Sequence, residues 1–294
     1  MATVSRGTTE ERFQFIARNR ILGVTYLCDW LMVSPSGFYD WEKRDASKRS
    51  IRDQALIRKI VKIHKASRGT YGSPRVHRVL QSQGEVVGQN RVARLMRESD
   101  IKGRVTRVTR RQPGLKRFKA AGENLRLDGA EVTATDQVWV SDVTYLKLHG
   151  AWRYLAVVMD LYSRRVIGWS FSRTRTTDLT LAALHYAVKR RRPKPGLIFH
   201  TDRGIEFTAF RFRDELLYHG MRVSYNRPGC CTDNAHMESF FHSLKGELIR
   251  GRSFNSENDL RYALNDYINR FYNHRRLHSG IDYQPPALFE KMAA

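Results

Sequence analysis

The sequence predicts a mixed α/β core preceded by an all-helical region, on three observations. From residue 137 onward, three segments rich in Val, Trp and Tyr follow one another across short turns, and short apolar strands then alternate with amphipathic helices. Before residue 101 every periodic segment has helical spacing. Charge divides along the same line: residues 51–120 carry 19 Lys and Arg against 4 Asp and Glu, whereas residues 201–294 carry 13 against 12.

The chain has 294 residues and 41% hydrophobic residues, with five Trp, thirteen Tyr and fourteen Phe, enough for a packed core and too apolar for a disordered chain. Its net charge of +23 points to a polyanionic partner, most commonly nucleic acid. No stretch approaches the length of a membrane span, and the start, MATVSRGTTEER, has no apolar secretory core, so a soluble, cytoplasmic protein is expected. Three cysteines, Cys28 and the adjacent Cys230 and Cys231, make no disulfide framework and are expected to be reduced. His274 and His278 have no C-x-x-C beside them, which argues against a structural zinc.

The helical region falls into two parts. Residues 9–44 read as short helices broken at Val33-Ser34-Pro35, where Ser34 can cap a new helix with Pro35 at its first position. Residues 50–66 form a stronger helix through Ile51, Leu56, Ile60 and Ile63. Ser73-Pro74 starts another, residues 84–88 turn, and residues 89–97 make a basic amphipathic helix. On that helix Arg91 and Arg94 share a face and Arg97 follows one turn on. Two helix-turn-helix outlines in succession, the second strongly basic, favour DNA contact over a merely solvated surface. The expected divisions are an N-terminal helix-turn-helix segment (1–48), a basic helix-turn-helix-like region (49–101), a basic linker (102–135), a catalytic core (136–252) and a C-terminal helix and tail that complete it (253–294).

Within the core, residues 137–148, 152–160 and 166–172 read as strands, 177–190 as a helix, 196–201 as a short buried strand, 208–219 as a helix and 221–225 as a strand. Long helices are expected over 233–249 and 257–276. Three antiparallel strands followed by alternating helices and strands make a mixed sheet covered on both faces. The ribonuclease-H-like arrangement has this order, with its first and fourth strands side by side; that analogy concerns topology and carries no function.

Three acids occupy suggestive places. Asp142 sits mid-strand in W-V-S-D-V-T, where an Asp is disfavoured unless an edge or a site requires it. Asp202 follows the fourth strand in F-H-T-D-R-G, at a strand end where ligands gather in open α/β sheets. Glu238 lies one turn into a helix in D-N-A-H-M-E-S-F-F. Singly, Asp202 reads equally as a turn residue and Glu238 as a first-turn helix charge. If the first and fourth strands are neighbours, the two Asp converge and the helix can bring Glu238 to them. Carboxylates that close repel one another unless a cation intervenes, and an all-oxygen set favours magnesium or manganese.

These motifs resemble those of insertion-sequence transposases of the IS-three family, in their integrase-core reading-frame product. The matching residues are W-V-S-D-V-T-Y (139–145), D-L-Y-S-R-R-V-I-G-W (160–169), H-T-D-R-G-I-E-F (200–207), D-N-A-H-M-E-S-F-F-H-S-L-K-G-E (233–247) and Y-N-H-R-R-L-H (272–278). G-T-Y-G-S-P-R-V (69–76) and L-M-V-S-P-S-G-F-Y (31–39) extend the likeness upstream, over almost the whole chain. Thr201 stands where Ser is often seen. The resemblance implies an Asp-Asp-Glu triad at Asp142, Asp202 and Glu238 and a two-metal site for cutting and rejoining DNA, with Mg2+ or Mn2+ as cofactor. It further implies double-stranded DNA partners (transposon terminal repeats and target DNA), a homo-oligomer on DNA at the bacterial nucleoid, and work with, or fused to, an upstream-frame product. A circular intermediate is common in the family.

Lesser candidates follow. Lys245, two turns after Glu238, shares its face and can hold phosphate near the metals. Asn234 either reaches the site or caps the helix. His200 reads as a packing or supporting residue and Asp160 as structural. Arg275 and Arg276 either contact DNA or tie the last helix to the core. The competing functions are a non-catalytic helix-turn-helix regulator, which has no need of clustered acids, and a related nuclease or retroviral-type integrase, whose His/Cys zinc module is absent.

Overall fold

In the computed structural model the described residues are 7–45, 47–104, 123–125, 131–227 and 234–293. The expected linker lies largely outside them, as do Cys230, Cys231 and Asp233. The chain divides into two compact units between Arg58 and Lys59.

The first unit is helical: α1 (Thr9–Arg18), α2 (Val24–Trp30), α3 (Pro35–Lys43) and the start of α4 (Lys48–Ala66). Thr8 and Glu11 form a reciprocal capping box on α1, and Ser34 caps α3 by accepting the Gly37 N–H at 3.1 Å, with Pro35 at the first position as expected. Phe13, Ile16, Leu27, Cys28, Leu31 and Phe38 form its core, and the Cys28 thiol is free and buried.

The second unit contains the rest of α4, then α5 (Ser73–Ser82) and α6 (Gln89–Glu98), which pack as a helix pair across a turn at Gly84. The sheet follows: β1 (Val138–Leu148), β2 (Ala151–Asp160), β3 (Val166–Ser172), α7 (Thr177–Arg191), β4 (Ile198–Thr201), α8 (Ile205–Thr208), α9 (Phe210–Tyr218), β5 (Arg222–Tyr225), α10 (Ala235–Leu244), α11 (Glu257–Asn265) and α12 (Pro286–Ala293). Strand order is β3-β2-β1-β4-β5; β1, β2 and β3 are antiparallel, and β4 and β5 run parallel to β1. This is the ribonuclease-H-like arrangement, with the first and fourth strands adjacent.

Local chemistry explains the joints. His149 (φ 46) and Gly150 (φ 80) both take the left-handed conformation that a two-residue hairpin turn demands between β1 and β2. Asp160 closes the β2–β3 turn: its Oδ1 accepts the Ser163 N–H and hydroxyl at 2.9 and 3.0 Å, and its Oδ2 accepts the Asp136 N–H at 2.7 Å. The structural role read for it is therefore observed. At Gly168 of β3 a Cβ would fall 2.3 Å from the Ala183 carbonyl, so α7 lies against β3 only because that side chain is missing.

Alternation on β1 divides the core. Val138, Val140, Leu146 and Leu148 join the layer of α10 and α11 with Met237, Phe240, Phe241, Leu244, Leu260 and Leu264. Trp139 joins the opposite layer of α7 and α9 with Leu184, Phe212 and Leu216. No helix among the described residues is long and apolar enough to cross a membrane.

Three helices differ from their sequence outlines. The helix expected over 208–219 is observed as α9 (Phe210–Tyr218), and a short helix not expected, α8, precedes it, the two separated at Ala209 (φ −56, ψ 138). The helices expected over 233–249 and 257–276 both loosen into π-helical turns, at Lys245–Ile249 and Asp266–Tyr272. Such wider turns are rare and accumulate at functional or tightly packed places.

Candidate functional site

The site is assembled by register. Parallel pairing of β1 with β4 sets Ser141 opposite Thr201, so Asp142 on β1 and Asp202, the first residue past β4, are the next positions along two chains paired at a strand spacing of about 4.8 Å. β4 ends at Thr201 while β1 continues to Leu148. Beyond Asp142, β1 is therefore an open edge on that side, and the two carboxylates stand where the sheet splits.

Each carboxylate is held by backbone. Asp142 Oδ1 accepts the Val143 N–H at 2.7 Å, and Asp202 Oδ1 accepts the Gly204 N–H at 2.9 Å. Burial pushes the Asp142 carboxyl well above the usual carboxylate range, and the neighbouring Asp202 pushes it further, against the pull of the Val143 N–H and Arg175. Burial likewise raises Asp202, with Glu206 adding to it and the Gly204 N–H and Arg175 opposing. Two desolvated acids that resist ionising together suit a divalent cation, which would relieve their repulsion and accept only oxygen donors.

Two residues that the sequence reading did not single out complete this setting. Arg175, between β3 and α7, donates from Nε and Nη2 to Glu206 Oε1 at 2.8 and 2.6 Å. Glu206 is fully buried in α8, and its Oε2 has no hydrogen-bond partner. A Cβ on Gly204 would fall 2.7 Å from Glu206 Oε1 and 3.0 Å from Asp202 Oδ1, so the loop threads between the two acids only as glycine. Burial draws the Arg175 guanidinium down, but Glu206, Asp202 and Asp142 more than offset it and leave it raised. Glu206 had a visible signal, since it stands four residues after Asp202. Arg175 had none in a chain with 52 Lys and Arg.

Glu238 is in the first turn of α10 as expected, but its side chain is exposed and not gathered with the two Asp. Among the described residues no three His, Cys, Asp or Glu side chains are close enough to hold a metal ion. Asn234, just before α10, is buried and donates from Nδ2 to the Ser141 carbonyl at 3.1 Å, while its Oδ1 has no partner. Asn234 makes no side-chain cap on α10 and instead ties that helix to β1 at Ser141, next to Asp142. Lys245 begins the π-helical turn after α10 with its Nζ 4.4 Å from the Tyr145 ring centroid. Burial lowers its ammonium, and Asp142 partly restores it. Lys245 thus shares the Asp142 environment.

The remaining candidates separate. His200 is buried and its Nδ1 lies 2.9 Å from Ser224 Oγ, bracing β4 against β5. Arg276 is buried and paired with Glu247, its Nη2 2.7 Å from Oε1, and so ties the last helix to the core, whereas Arg275 is exposed. On α6, Arg94 pairs with Glu98 at 2.9 Å, Arg91 is half-buried and Arg97 is exposed.

Known proteins share this organisation. Residues 132–231 and 219–286 match family models described as integrase core domains, and residues 51–109 match one described as an HTH-like domain. The chain is 35% identical over 286 residues to the transposase InsF for insertion sequence IS3A of Escherichia coli (strain K12), covering 95% of this chain and 98% of that protein. It is 34% identical over 248 residues to the transposase for insertion sequence element IS904 of Lactococcus lactis subsp. lactis (strain IL1403), covering 84% and 98%. Among solved structures it is similar to the HTLV-2 integrase catalytic core domain in complex with magnesium, at 18% identity, 53% and 97% coverage and a TM-score of 0.42. It is also similar to a simian T-cell lymphotropic virus intasome, at 16% identity, 79% and 74% coverage and a TM-score of 0.47. With a relative more than 30% identical matched along nearly its full length, the chain belongs to the IS3 family of insertion-sequence transposases.

Proposed function

We propose that this chain cuts the ends of its insertion sequence and joins the freed DNA 3′-hydroxyl to a second strand, with Asp142, Asp202 and Glu238 as the metal-holding residues. The observation that carries the reading is the β1–β4 register, which sets two half-buried carboxylates side by side at a split in the sheet. Divalent magnesium or manganese, two ions in this reading, would supply Lewis-acid stabilisation of the phosphate and a stronger oxygen nucleophile.

The chain's own residues do the rest. Asp142 and Asp202 present oxygens fixed by the Val143 and Gly204 N–H groups, so these two donors need little rearrangement on loading. Glu238, on the exposed side of α10, swings in as the third donor. Lys245 offers a half-buried ammonium to a phosphate oxygen, where low dielectric strengthens the attraction. The exposed Arg97 of α6, with Arg91 and Arg94, grips duplex phosphates away from the site, and Arg275 adds a further exposed cation. The DNA partners are the element's terminal repeats and the target. Joining two ends in one event calls for more than one copy of the chain, acting with or without the upstream-frame product.

The test is strand transfer on DNA carrying the element's ends in magnesium. Asp142→Asn, Asp202→Asn and Glu238→Gln should each abolish cleavage while leaving DNA binding intact. Wild-type cleavage by Glu238→Gln would reject the triad, and binding without cleavage in any divalent metal would favour a regulator.

A further inference from the structure

Past Asp142, the β1–β2 hairpin and Lys245 beside it present a row of aromatic and basic side chains. Tyr145 and Trp152 meet edge to face, with ring centroids 5.1 Å apart and planes at 84°. Lys245 Nζ stands 4.4 Å from the Tyr145 centroid and Lys147 Nζ 5.8 Å from that of Trp152. Lys147 and Trp152 are directly opposite in the β1–β2 register, and Tyr145, two residues before Lys147 on β1, is the diagonal neighbour of Trp152. Trp152 is 42% exposed, unusual for an indole on a core hairpin. No Asp or Glu occurs from residue 143 to residue 159. Lys147 and Lys245 are in none of the ion pairs among the described residues, whereas nearby Arg153 and Arg173 both bind Glu257.

We propose that Tyr145, Trp152, Lys147 and Lys245 form a binding strip for an unpaired DNA strand that leads into the Asp142–Asp202 pair; this rests on the strand-cleavage reading above. Unpartnered cations fit phosphates, and aromatic faces fit bases, but a base offers its face only when it is unstacked from a duplex. A fully paired DNA end would meet only the lysines. The strip begins three residues beyond Asp142, about 10 Å along the strand, and reaches roughly 17 Å at the Lys147–Trp152 pair. At about 3.4 Å per stacked nucleotide that corresponds to roughly 3–5 nucleotides. The substrate is accordingly a DNA end with its last few base pairs opened.

The test uses the full chain without divalent metal and two fluorescent probes, a ten-residue oligothymidylate and a blunt duplex, read by anisotropy. Trp152→Ala should weaken oligothymidylate binding about tenfold, a stacking loss of about 1.4 kcal/mol, and leave duplex binding within twofold. Trp152→Phe should recover most of the loss, and Lys147→Ala should lower the salt slope for the single strand. Unchanged oligothymidylate binding by Trp152→Ala, or an equal loss on both probes, would overturn the strip. Circular dichroism melting of each variant separates lost contact from lost fold. Because the assay involves no cleavage, failure of the metal triad leaves it readable, and failure of the strip leaves metal-dependent cleavage of pre-opened ends by Trp152→Ala as the surviving activity.

Discussion

The hydroxyl of Tyr71 accepts the Leu277 N–H at 2.8 Å and donates to the Arg275 carbonyl at 3.0 Å, linking residues about two hundred positions apart. Arg75 adds a bond from Nε to the Leu277 carbonyl at 3.0 Å. The segment G-T-Y-G-S-P-R, which leads into α5, is thereby fastened to the chain after the last π-helical turn. Tyr71→Phe leaves the half-buried Leu277 N–H without its acceptor and should cost about 1 kcal/mol. Urea denaturation will show a lower midpoint at unchanged slope; an unaltered midpoint would remove Tyr71 from the link.

Beneath that link lies a buried ion pair. Arg276 reaches both oxygens of Glu247, at 2.7–3.1 Å, and Ser243 Oγ at 2.9 Å, while Tyr267 donates to Glu247 Oε2 at 2.8 Å. Arg276→Met strands a buried carboxylate and should destabilise by about 3–5 kcal/mol. The double variant Arg276→Met/Glu247→Leu should lose less than the single, which a thermodynamic cycle measures directly.

His278 gives the fold a pH dependence. Burial and the charges of Arg276, Arg75 and Arg164 hold its imidazole well below the ordinary value of 6.5. The unfolded chain therefore binds a proton below pH 6.5 that the folded chain refuses, so this contribution to stability is complete above 6.5 and falls as pH drops below it. Urea midpoints between pH 7.5 and 5.5 should decline with acid, and His278→Phe, which keeps a ring against Tyr272, should flatten that decline. Parallel curves for the two proteins would exclude His278 as the source.

Gly204→Ala forces a methyl between Glu206 and Asp202. Displacing Asp202 by a fraction of an ångström should reduce metal-dependent cleavage about 100-fold with DNA binding preserved. Cleavage assays paired with anisotropy decide this; retention of full rate would show that the loop can yield.

On α6, Arg97 is exposed whereas Arg94 is engaged by Glu98. Arg97→Ala should lower the slope of log affinity for duplex DNA against log salt by about 0.9, and Arg94→Ala by less. Equal slopes for wild type and Arg97→Ala would move the phosphate contact elsewhere.

The sheet was legible in the sequence because its strands are rich in Val, Trp and Tyr and its turns carry His149-Gly150 and Ser163-Arg164. The Asp142–Asp202 pairing was legible too, since an Asp in mid-strand and another at a strand end conflict with local preference unless a site compensates. What could not be read were the long-range polar contacts. Arg175 is one cation among many, and Tyr71 gives no sign of a partner at Leu277. The break at Ala209 and the π-helical turns also escaped, because apolar periodicity continues across them. Glu238 was placed on the right helix, yet spacing alone does not record which way a first-turn side chain faces.

The central strand of the sheet is the first one synthesised. A chain emerging from the ribosome through Ser172 can close the antiparallel meander of β3, β2 and β1, but Asp142 then lies on a bare edge. Its companion arrives only when β4 docks, after α7 has been made, and Lys245 arrives later still. The Asp142–Asp202 pair thus does not exist until more than two thirds of the chain has been made, and any chain ending before Ile198 lacks it, however well the meander has formed.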